Sequence, residues 1–196
     1  MKNNQMFKVL FDTVADIMEM PESDRLLCFK YFEPICYPKN TIVERAGKIP
    51  QHQYFIASGI MRNFYTNDFG EEITTDMNNE PRFFTSYHHF ANRTISNENI
   101  ECVTDCSLLR IKRDNEDILY AESIILSKYT IILFQHIIER EKVRINELAT
   151  LSAKERYLKF IVNKPNIIKS VPLQYIASYL GITPETISRI RRDLIS

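Results

Sequence analysis

Residues 173–190, LQYIASYLGITPETISRI, contain two short helical patterns separated by a glycine. Two helices can cross near a right angle only if a small residue on the first lets the second approach and a glycine permits the turn. Ala177 and Gly181 occupy those two places. The positions that would face a shared core are apolar, namely Leu173, Ile176, Leu180, Ile182, Ile187 and Ile190. The spacing therefore predicts a helix-turn-helix.

The second helix of this motif has a clear start and a polar outer face. Thr183 is a good N-cap, Pro184 suits the first helical position, and Glu185 complements the positive end of the helix dipole. The side chains around this start can hydrogen-bond base edges or phosphates. We expect DNA contacts from Lys169, Gln174, Thr183, Glu185, Thr186, Ser188, Arg189 and Arg192. The alternative is a helical hairpin that binds another protein.

The charge is distributed unevenly along the chain. Residues 149–196 carry eight basic and three acidic residues, a net charge of +5, so the zero formal charge of the whole chain leaves −5 on residues 1–148. A basic segment attached to an acidic body indicates that only the basic segment meets a polyanion. A solvated basic face is the alternative.

Residues 37–111 consist of short runs of β-branched and aromatic residues separated by turn signals. Six to eight strands are predicted, with six runs identified at residues 41–43, 53–57, 61–65, 72–77, 100–104 and 107–111. Three of the four glycines, Gly47, Gly59 and Gly70, lie between these runs, where tight turns need a positive φ. The pattern indicates a compact antiparallel β-roll.

Residues 114–148 lack proline and glycine, and Asp114 is a plausible N-cap. We predict one helix of about 50 Å, at about 1.5 Å per residue. Isoleucines recur every seven residues along it, as expected for a helix that pairs with a second helix. The predicted dimer contacts are Ile124, Ile131, Phe134, Ile138 and Ile145. Burial of this helix within one chain is the alternative.

A junction at residues 149–151 separates this helix from the C-terminal segment. Ser152 and Glu155 form a capping box that starts a helix running to about Asn163. Residues 167–171 are predicted as a short strand or connector, and residues 165–171 would supply whatever wing the helix-turn-helix has. The chain is thus an α+β protein with a β-roll sensor domain at residues 1–112, a dimerisation helix at 113–148 and a DNA-binding domain at 149–196.

This order of parts resembles the Crp/Fnr family of transcription regulators, a cyclic-nucleotide-binding-like jelly roll followed by a winged helix-turn-helix. The resemblance covers nearly the whole chain and is strongest in VPLQYIA, residues 171–177, and TPETISR, residues 183–189. It implies that Glu185, Ser188 and Arg189 read bases as an E-x-x-S-R pattern. It also implies a homodimer, palindromic TGA-type half-sites and RNA polymerase as a partner. Pro184 replaces an arginine found in one branch of the family, which puts one base preference in doubt.

The sensor departs from the pattern of the family's cyclic-nucleotide binders, which hold the cyclic phosphate with Gly-Glu and Arg-Ser or Arg-Thr pairs. Asn79-Glu80 stands for the first pair here and Ser96-Asn97 for the second, so the arginine is missing. Arg93 is three residues away. The candidate effector residues are therefore Glu80, Arg93, Ser96 and Asn97. We expect no cyclic nucleotide, no cofactor and an effector of unknown identity.

Two alternative functions would depend on the cysteines or histidines of the predicted roll. They are a redox sensor and a cupin-like metal-dependent enzyme. The four cysteines, Cys28, Cys36, Cys102 and Cys106, contain no CxxC pair, which favours buried thiols. Three histidines lie in the predicted roll, at His52, His88 and His89, but an adjacent pair cannot point to the same side of one strand. We expect no metal and no enzyme.

The chain has no apolar run near the roughly 20 residues that span a bilayer, and its start is too polar for a signal peptide. A cytoplasmic protein that does not contact membranes is expected.

Overall fold

The computed structural model describes residues 2–78 and 80–194. Two helices, α1 (Lys2–Ala15) and α2 (Glu22–Tyr31), come first. The strands are β1 (Glu33–Tyr37), β2 (Thr41–Glu44), β3 (His52–Ser58), β4 (Met61–Thr66), β5 (Glu72–Met77), β6 (Arg82–Phe84), β7 (Asn99–Cys102) and β8 (Cys106–Lys112), with α3 (Tyr87–Asn92) after β6. The helices α4 (Arg113–Glu122), α5 (Ile124–Thr150), α6 (Ala153–Asn163), α7 (Pro165–Ser170), α8 (Leu173–Leu180) and α9 (Pro184–Asp193) follow.

The strands form two four-stranded sheets with the orders β1-β8-β3-β6 and β2-β7-β4-β5, and every pair is antiparallel. This confirms the predicted β-roll. Side chains alternate between the two faces of a strand. The space between the sheets is filled by buried side chains, among them Tyr54, Ile56, Met61, Phe84, Ile100 and Leu108. Phe55 and Leu109 face the other way and pack with Leu10 and Val14 of α1.

The single helix predicted over residues 114–148 is wrong, because Ser123 divides it into α4 and α5. Ser123 has an extended backbone (φ −133°, ψ 110°), and its hydroxyl accepts from the Leu126 amide at 3.0 Å. The same hydroxyl donates to Asp24 Oδ2 of α2 at 2.7 Å. The partner that stabilises this break lies 99 residues away in sequence. The helix α5 has 27 residues, which makes it about 40 Å long.

The first of these helices also begins differently from the prediction. It starts at Arg113 after Lys112, which makes no side-chain cap. Asp114 lies in its first turn and pairs with Arg93, with 2.8 Å between Oδ1 and Nη2.

The C-terminal segment contains the predicted capping box, but most of the segment predicted as a short strand or connector is helical. Glu155 Oε2 accepts from the Ser152 amide at 2.8 Å, and Ser152 Oγ accepts from the Glu155 amide at 3.3 Å. Residues 165–170 form helix α7, because Pro165 suits a first helical position and the helix buries Ile167 completely. Within residues 2–78 and 80–194 no strand follows β8, so this segment supplies no wing.

None of the helices in the part of the chain that the structure describes is both long and apolar enough to cross a membrane.

Candidate nucleic-acid interface

The helix-turn-helix has the predicted helices and the predicted turn. Gly181 ends α8 in the left-handed conformation (φ 64°), which an L-residue rarely adopts. A Cβ at this position would also approach Leu148 Cδ2 to 3.3 Å. Thr183 caps α9 by accepting from the Thr186 amide at 3.2 Å, and Pro184 follows at the first helical position. The chain therefore turns tightly between the two helices.

A small apolar core supports α9 from behind. Ile187 and Ile190 of α9 are buried against Ile176 and Ala177 of α8. The same cluster includes Tyr157, Phe160, Ile167, Val171 and Leu180. Arg191 adds a polar tether, because its Nε donates to the Tyr157 hydroxyl at 2.7 Å. The helix is thus fixed on one side and open on the other.

The open face of α9 consists of exposed polar residues at helical spacing, Glu185, Ser188, Arg189 and Arg192. Arg189 makes no hydrogen bond or ion pair with any residue in 2–78 or 80–194. Ser188 Oγ donates to the Pro184 carbonyl at 3.0 Å. This bond uses the hydroxyl hydrogen and not the lone pairs of the oxygen. The backbone amide of Glu185 and the Thr183 hydroxyl hold the pKa of the Glu185 carboxyl below its usual value. This face offers a cation, an anion and a hydroxyl together.

The remaining sequence-predicted contacts lie around this face or on other helices. Thr186 is half-buried, and its hydroxyl pairs with that of Thr183 at 3.2 Å. Gln174 is exposed in the first turn of α8, and Lys169 is exposed in the last turn of α7. Lys169 and Gln174 are therefore exposed on the two helices that precede α9 and not on α9 itself.

The opposite side of α8 is docked on the edge of the roll. Strand β5 is one of the two edge strands of its sheet, so its outward amides and carbonyls need partners. Ser178 Oγ accepts from the Thr74 amide at 2.8 Å and donates to the Glu72 carbonyl at 3.0 Å. A single serine of α8 thus continues the hydrogen bonding of the sheet.

Arg62 stabilises this contact from inside the roll. Its side chain is 1% exposed, although it carries a full charge. It pairs with Glu101 at 2.7 Å and with Glu72, which compensates its burial. Its guanidinium lies 4.0 Å from the ring centre of Phe64 and 3.3 Å from that of Tyr175 on α8. These roles of Arg62 and Ser178 could not be predicted from local sequence, because their partners are 10 to 106 residues away.

A second connection joins α8 to the end of α5. Arg156 of α6 donates to the Leu180 carbonyl at 3.0 Å and to the Leu151 carbonyl at 2.6 Å. These are carbonyls at the C-terminal ends of helices, which lack partners within their own helix. Arg144 of α5 donates to the Tyr179 carbonyl at 3.3 Å. The helix-turn-helix is therefore bonded to both α5 and the roll.

The stripe of isoleucines on α5 is not covered by any part of the chain that the structure describes. Ile124, Ile131, Ile138 and Ile145 are 72%, 60%, 67% and 65% exposed, and Phe134 lies partly against Tyr87. Large apolar side chains at seven-residue spacing form a continuous apolar strip along the helix. An exposed strip of this kind marks a contact surface.

The four candidate effector residues do not surround one cavity. Ser96 is buried, and its hydroxyl accepts from the Glu98 amide at 3.0 Å. Arg93 is exposed and pairs with Asp114 and Asp117 of α4. Glu80 and Asn97 are exposed, and Asn79 lies outside the described residues. Only Ser96 therefore points into the roll.

A carboxylate that the sequence analysis did not identify lies beside Ser96. Glu98 accepts from the hydroxyls of Thr75, at 2.7 Å, and of Ser86. Ser96 Oγ is 3.3 Å from Ser86 Oγ. The polar cluster at this place thus has an acid where a phosphate ligand would need a cation. No sequence signal distinguishes Glu98 from other acids of the roll.

The cysteines and histidines are separated into different environments. Cys28, Cys102 and Cys106 are buried as free thiols, and Cys36 is exposed. His52 Nδ1 lies 3.1 Å from Glu44 Oε1, whereas His88 and His89 lie on α3. In residues 2–78 and 80–194 no three His, Cys, Asp or Glu side chains converge as metal ligands would.

Comparison with known proteins agrees with this architecture. The cyclic nucleotide-binding domain family matches residues 34–122. No curated protein sequence matches the chain. Among solved structures, a protein from Eubacterium rectale named as a Crp/Fnr-family transcriptional regulator is 19% identical, with a TM-score of 0.68 over 88% of this chain and 82% of its own.

Two further structures have the same arrangement. CLP of Xanthomonas campestris, named as a c-di-GMP-responsive global regulator, is 18% identical, with a TM-score of 0.65 over 89% of this chain and 91% of its own. The catabolite activator protein of Thermus thermophilus is 19% identical, with a TM-score of 0.56 over 90% and 84%. Residues 34–122 match the cyclic nucleotide-binding domain family, and the chain as a whole has the fold of the Crp/Fnr-family regulators.

Proposed function

We propose that this protein is a transcription regulator that binds duplex DNA through α9. The observation that carries the proposal is the exposed face of Glu185, Ser188 and Arg189 on a helix whose other face is packed and capped. In a major groove an arginine binds guanine O6 and N7, and a carboxylate accepts from cytosine N4. The net charge of +5 on residues 149–196 supplies the attraction to phosphates.

The active species in this proposal is a homodimer joined along α5. The exposed isoleucine strip supports it, because two copies of the strip would cover each other. The two copies of α9, the recognition helices, would then lie about 34 Å apart, which is about one turn of DNA, and would read two inverted half-sites. As a regulator of this kind, the protein would act on promoters together with RNA polymerase.

Control of binding is proposed to occur through the packing of α5 and the roll. The helix-turn-helix contacts the roll through Ser178 and Arg62, and it contacts α5 through Arg144. A signal that changes either contact would reorient α9. Small rotations at such interfaces are sufficient to change the distance between two recognition helices.

The roll is proposed to bind no cyclic nucleotide. Support comes from Glu98, whose carboxylate would repel a cyclic phosphate beside Ser96, and from Arg93, which is engaged by α4. Thermal unfolding in cyclic AMP or cyclic GMP should leave the melting temperature unchanged. A saturable rise in melting temperature with either nucleotide would refute this part of the proposal.

Fluorescence anisotropy with a labelled random-sequence duplex tests the DNA-binding function itself. The logarithm of the binding constant should fall linearly with the logarithm of the salt concentration, because bound counterions are released from the phosphates. If no duplex binds at low salt, or if binding does not depend on salt, the protein does not act on DNA.

A further inference from the structure

A pocket of about 210 Å³ lies where α5 meets the helix-turn-helix, and it has a marked excess of positive charge. Its walls come from α5, from α6 and from the end of α8. Its charged lining consists of Arg140, Arg144, Arg156, Lys159, Lys164 and a single carboxylate, Glu147. We call this space the junction pocket.

The nearby acids do not balance these cations. Glu147 pairs with Lys159 at 2.7 Å. Asp76 is shared between Arg82, at 2.8 Å, and Arg140, at 3.3 Å. Glu141 is shared between Arg140, at 3.3 Å, and Arg144, at 3.6 Å. Three carboxylates thus form ion pairs with four arginine and lysine side chains around the pocket. Lys164 is a further cation that is not among these four.

Lys164 is the cation with the poorest compensation. Its ammonium donates to the Tyr179 hydroxyl at 3.3 Å, and it lies 4.8 Å from the centre of that ring. Burial, together with the nearby guanidinium groups of Arg82, Arg140 and Arg144, outweighs the attraction of Asp76 and lowers the pKa of Lys164 to about 8. The amine is held in a place that disfavours its charge.

Arg144 has an unused donor at the same place. Its Nη2 bonds the Tyr179 carbonyl, and its guanidinium lies 4.6 Å from the centre of the Tyr179 ring. Its Nε is buried and has no hydrogen-bond partner among residues 2–78 and 80–194. A buried donor without a partner costs about 1 to 3 kcal/mol. The cations that line the pocket therefore outnumber its single carboxylate, and one of their buried donors is not hydrogen-bonded within the described residues.

We infer that the junction pocket binds a small phosphate-bearing anion. Phosphate oxygens can accept from several Arg and Lys donors at once, and such charge-assisted bonds are short and strong. A volume of about 210 Å³ is below the range of about 300 to 1,000 Å³ typical of sites for drug-sized ligands. The ligand is thus a compact group such as phosphate or pyrophosphate.

The junction pocket is separate from the DNA-binding face. Glu185, Ser188 and Arg189 of α9 do not line it. Its walls instead belong to both sides of the connection between α5 and α6. A bound anion would add bonds across this connection and fix the orientation of the helix-turn-helix on α5. This consequence rests on the proposed DNA-binding function, whereas the binding of the anion does not.

Calorimetry on the full-length protein with pyrophosphate, at constant ionic strength, tests the inference. We expect saturable binding of one anion per chain and a rise in melting temperature with its concentration. The variant Lys164→Gln should fold, because the bonded partner of Lys164 is the Tyr179 hydroxyl and no carboxylate of the described residues forms an ion pair with it. It should bind pyrophosphate at least about tenfold more weakly, a loss of about 1.4 kcal/mol.

Lys154→Gln is the matched control, since Lys154 is exposed on α6 and does not line the pocket. It should change the affinity by less than about twofold. Lys159→Gln provides a second test inside the pocket and should also weaken binding. Equal affinity in Lys164→Gln and Lys154→Gln, or no saturable heat with the unmodified chain, would overturn the inference. Citrate that binds as tightly as pyrophosphate would overturn the assignment to phosphate.

The same titration separates the two proposals. Binding of pyrophosphate by a protein that binds no duplex supports the junction pocket and refutes the DNA-binding function. Duplex binding without any binding of phosphate or pyrophosphate supports the DNA-binding function and refutes the junction pocket as an anion site.

Discussion

Two arginines of this protein have opposite surroundings, and their surroundings distinguish their roles. Arg189 is exposed and makes no bond to the described chain, so its donors are available to a ligand. Arg62 is buried between two carboxylates and two aromatic rings, so its donors are used within the fold. Residue type alone would assign both to a polyanion.

Replacement of Arg189 should therefore affect recognition and leave folding unchanged. We predict that Arg189→Ala costs about 1 to 3 kcal/mol of binding free energy on the preferred site and relaxes specificity at one base position. Fluorescence anisotropy on specific and random duplexes measures both effects. Arg45→Ala is the control, because Arg45 is exposed on the roll. The same loss in both variants would show a general effect of charge.

Lys169 is predicted to act on the phosphates and not on the bases. Lys169→Ala should weaken binding to all duplexes alike and reduce the slope of the salt dependence by about 1. The measurement is a salt titration on specific and random DNA. Loss of affinity for the specific duplex alone would place Lys169 at a base edge.

Glu116 should make the stability depend on pH. It is 3% exposed, and burial raises its pKa from 4.5 to about 7, although Tyr120 and Arg113 bond its oxygens. Between these two values the folded chain keeps a proton that the unfolded chain has lost. The free energy of unfolding should therefore fall as the pH rises from about 4.5 to 7, by up to about 3 kcal/mol at 1.36 kcal/mol per pH unit.

Glu116→Gln tests this dependence, because a neutral amide can accept from the Tyr120 hydroxyl at any pH. Urea unfolding should show the variant more stable than the unmodified chain at pH 8, with a difference that shrinks toward pH 4.5. Glu19→Gln, at an exposed position, is the control. A difference that stays constant with pH would mean that Glu116 does not titrate in this range.

At the scale of elements, the long helix shows what the sequence predicts and what it does not. The strip of Ile124, Ile131, Ile138 and Ile145 was visible from spacing and is exposed as expected for a contact surface. The break at Ser123 was not visible, since serine is tolerated within helices and the Asp24 partner lies on α2. The helix α7 was not predicted, and residues 167–171 were interpreted as a short strand or connector, because two isoleucines and a valine near prolines favour a strand as well as a helix.

If the strip on α5 is the dimer interface, a charged side chain placed in it should weaken the dimer. Ile138→Asp should raise the dimer dissociation constant at least about tenfold, because it buries an unpaired carboxylate in the interface. Sedimentation equilibrium measures the change, and Lys142→Asp on the same helix is the control. If Ile138→Asp leaves the dimer intact, the strip is not the interface.

The helix-turn-helix should protect the backbone amides of the edge strand β5 from hydrogen exchange. Ser178→Ala removes the group that bonds the Thr74 amide and the Glu72 carbonyl. Hydrogen exchange at Thr74 should then become faster, because an amide without its partner opens to solvent at lower free energy. Residues of β8, in the other sheet, serve as the internal reference. Unchanged exchange at Thr74 would mean that the contact is not formed in solution.

In the whole molecule, local sequence patterns were sufficient to predict the helix-turn-helix and the helix caps. They were not sufficient to predict how the helices pack on the roll and on each other. Gly181, Thr183, Ser152 and Glu155 act on residues within a few positions, and each has its predicted role. The docking of α8 on β5 depends on Ser178 and Arg62, which meet distant partners. The junction pocket likewise exists only after α5, α6 and α8 have packed.

We propose that two copies of α9, joined through α5, read one DNA site. Selection of binding sites from a random duplex library by the full-length protein checks this. We expect an enriched palindrome whose half-site centres are about 10 base pairs apart, one turn of DNA. Enrichment of a single unpaired half-site, or of no sequence at all, would contradict it.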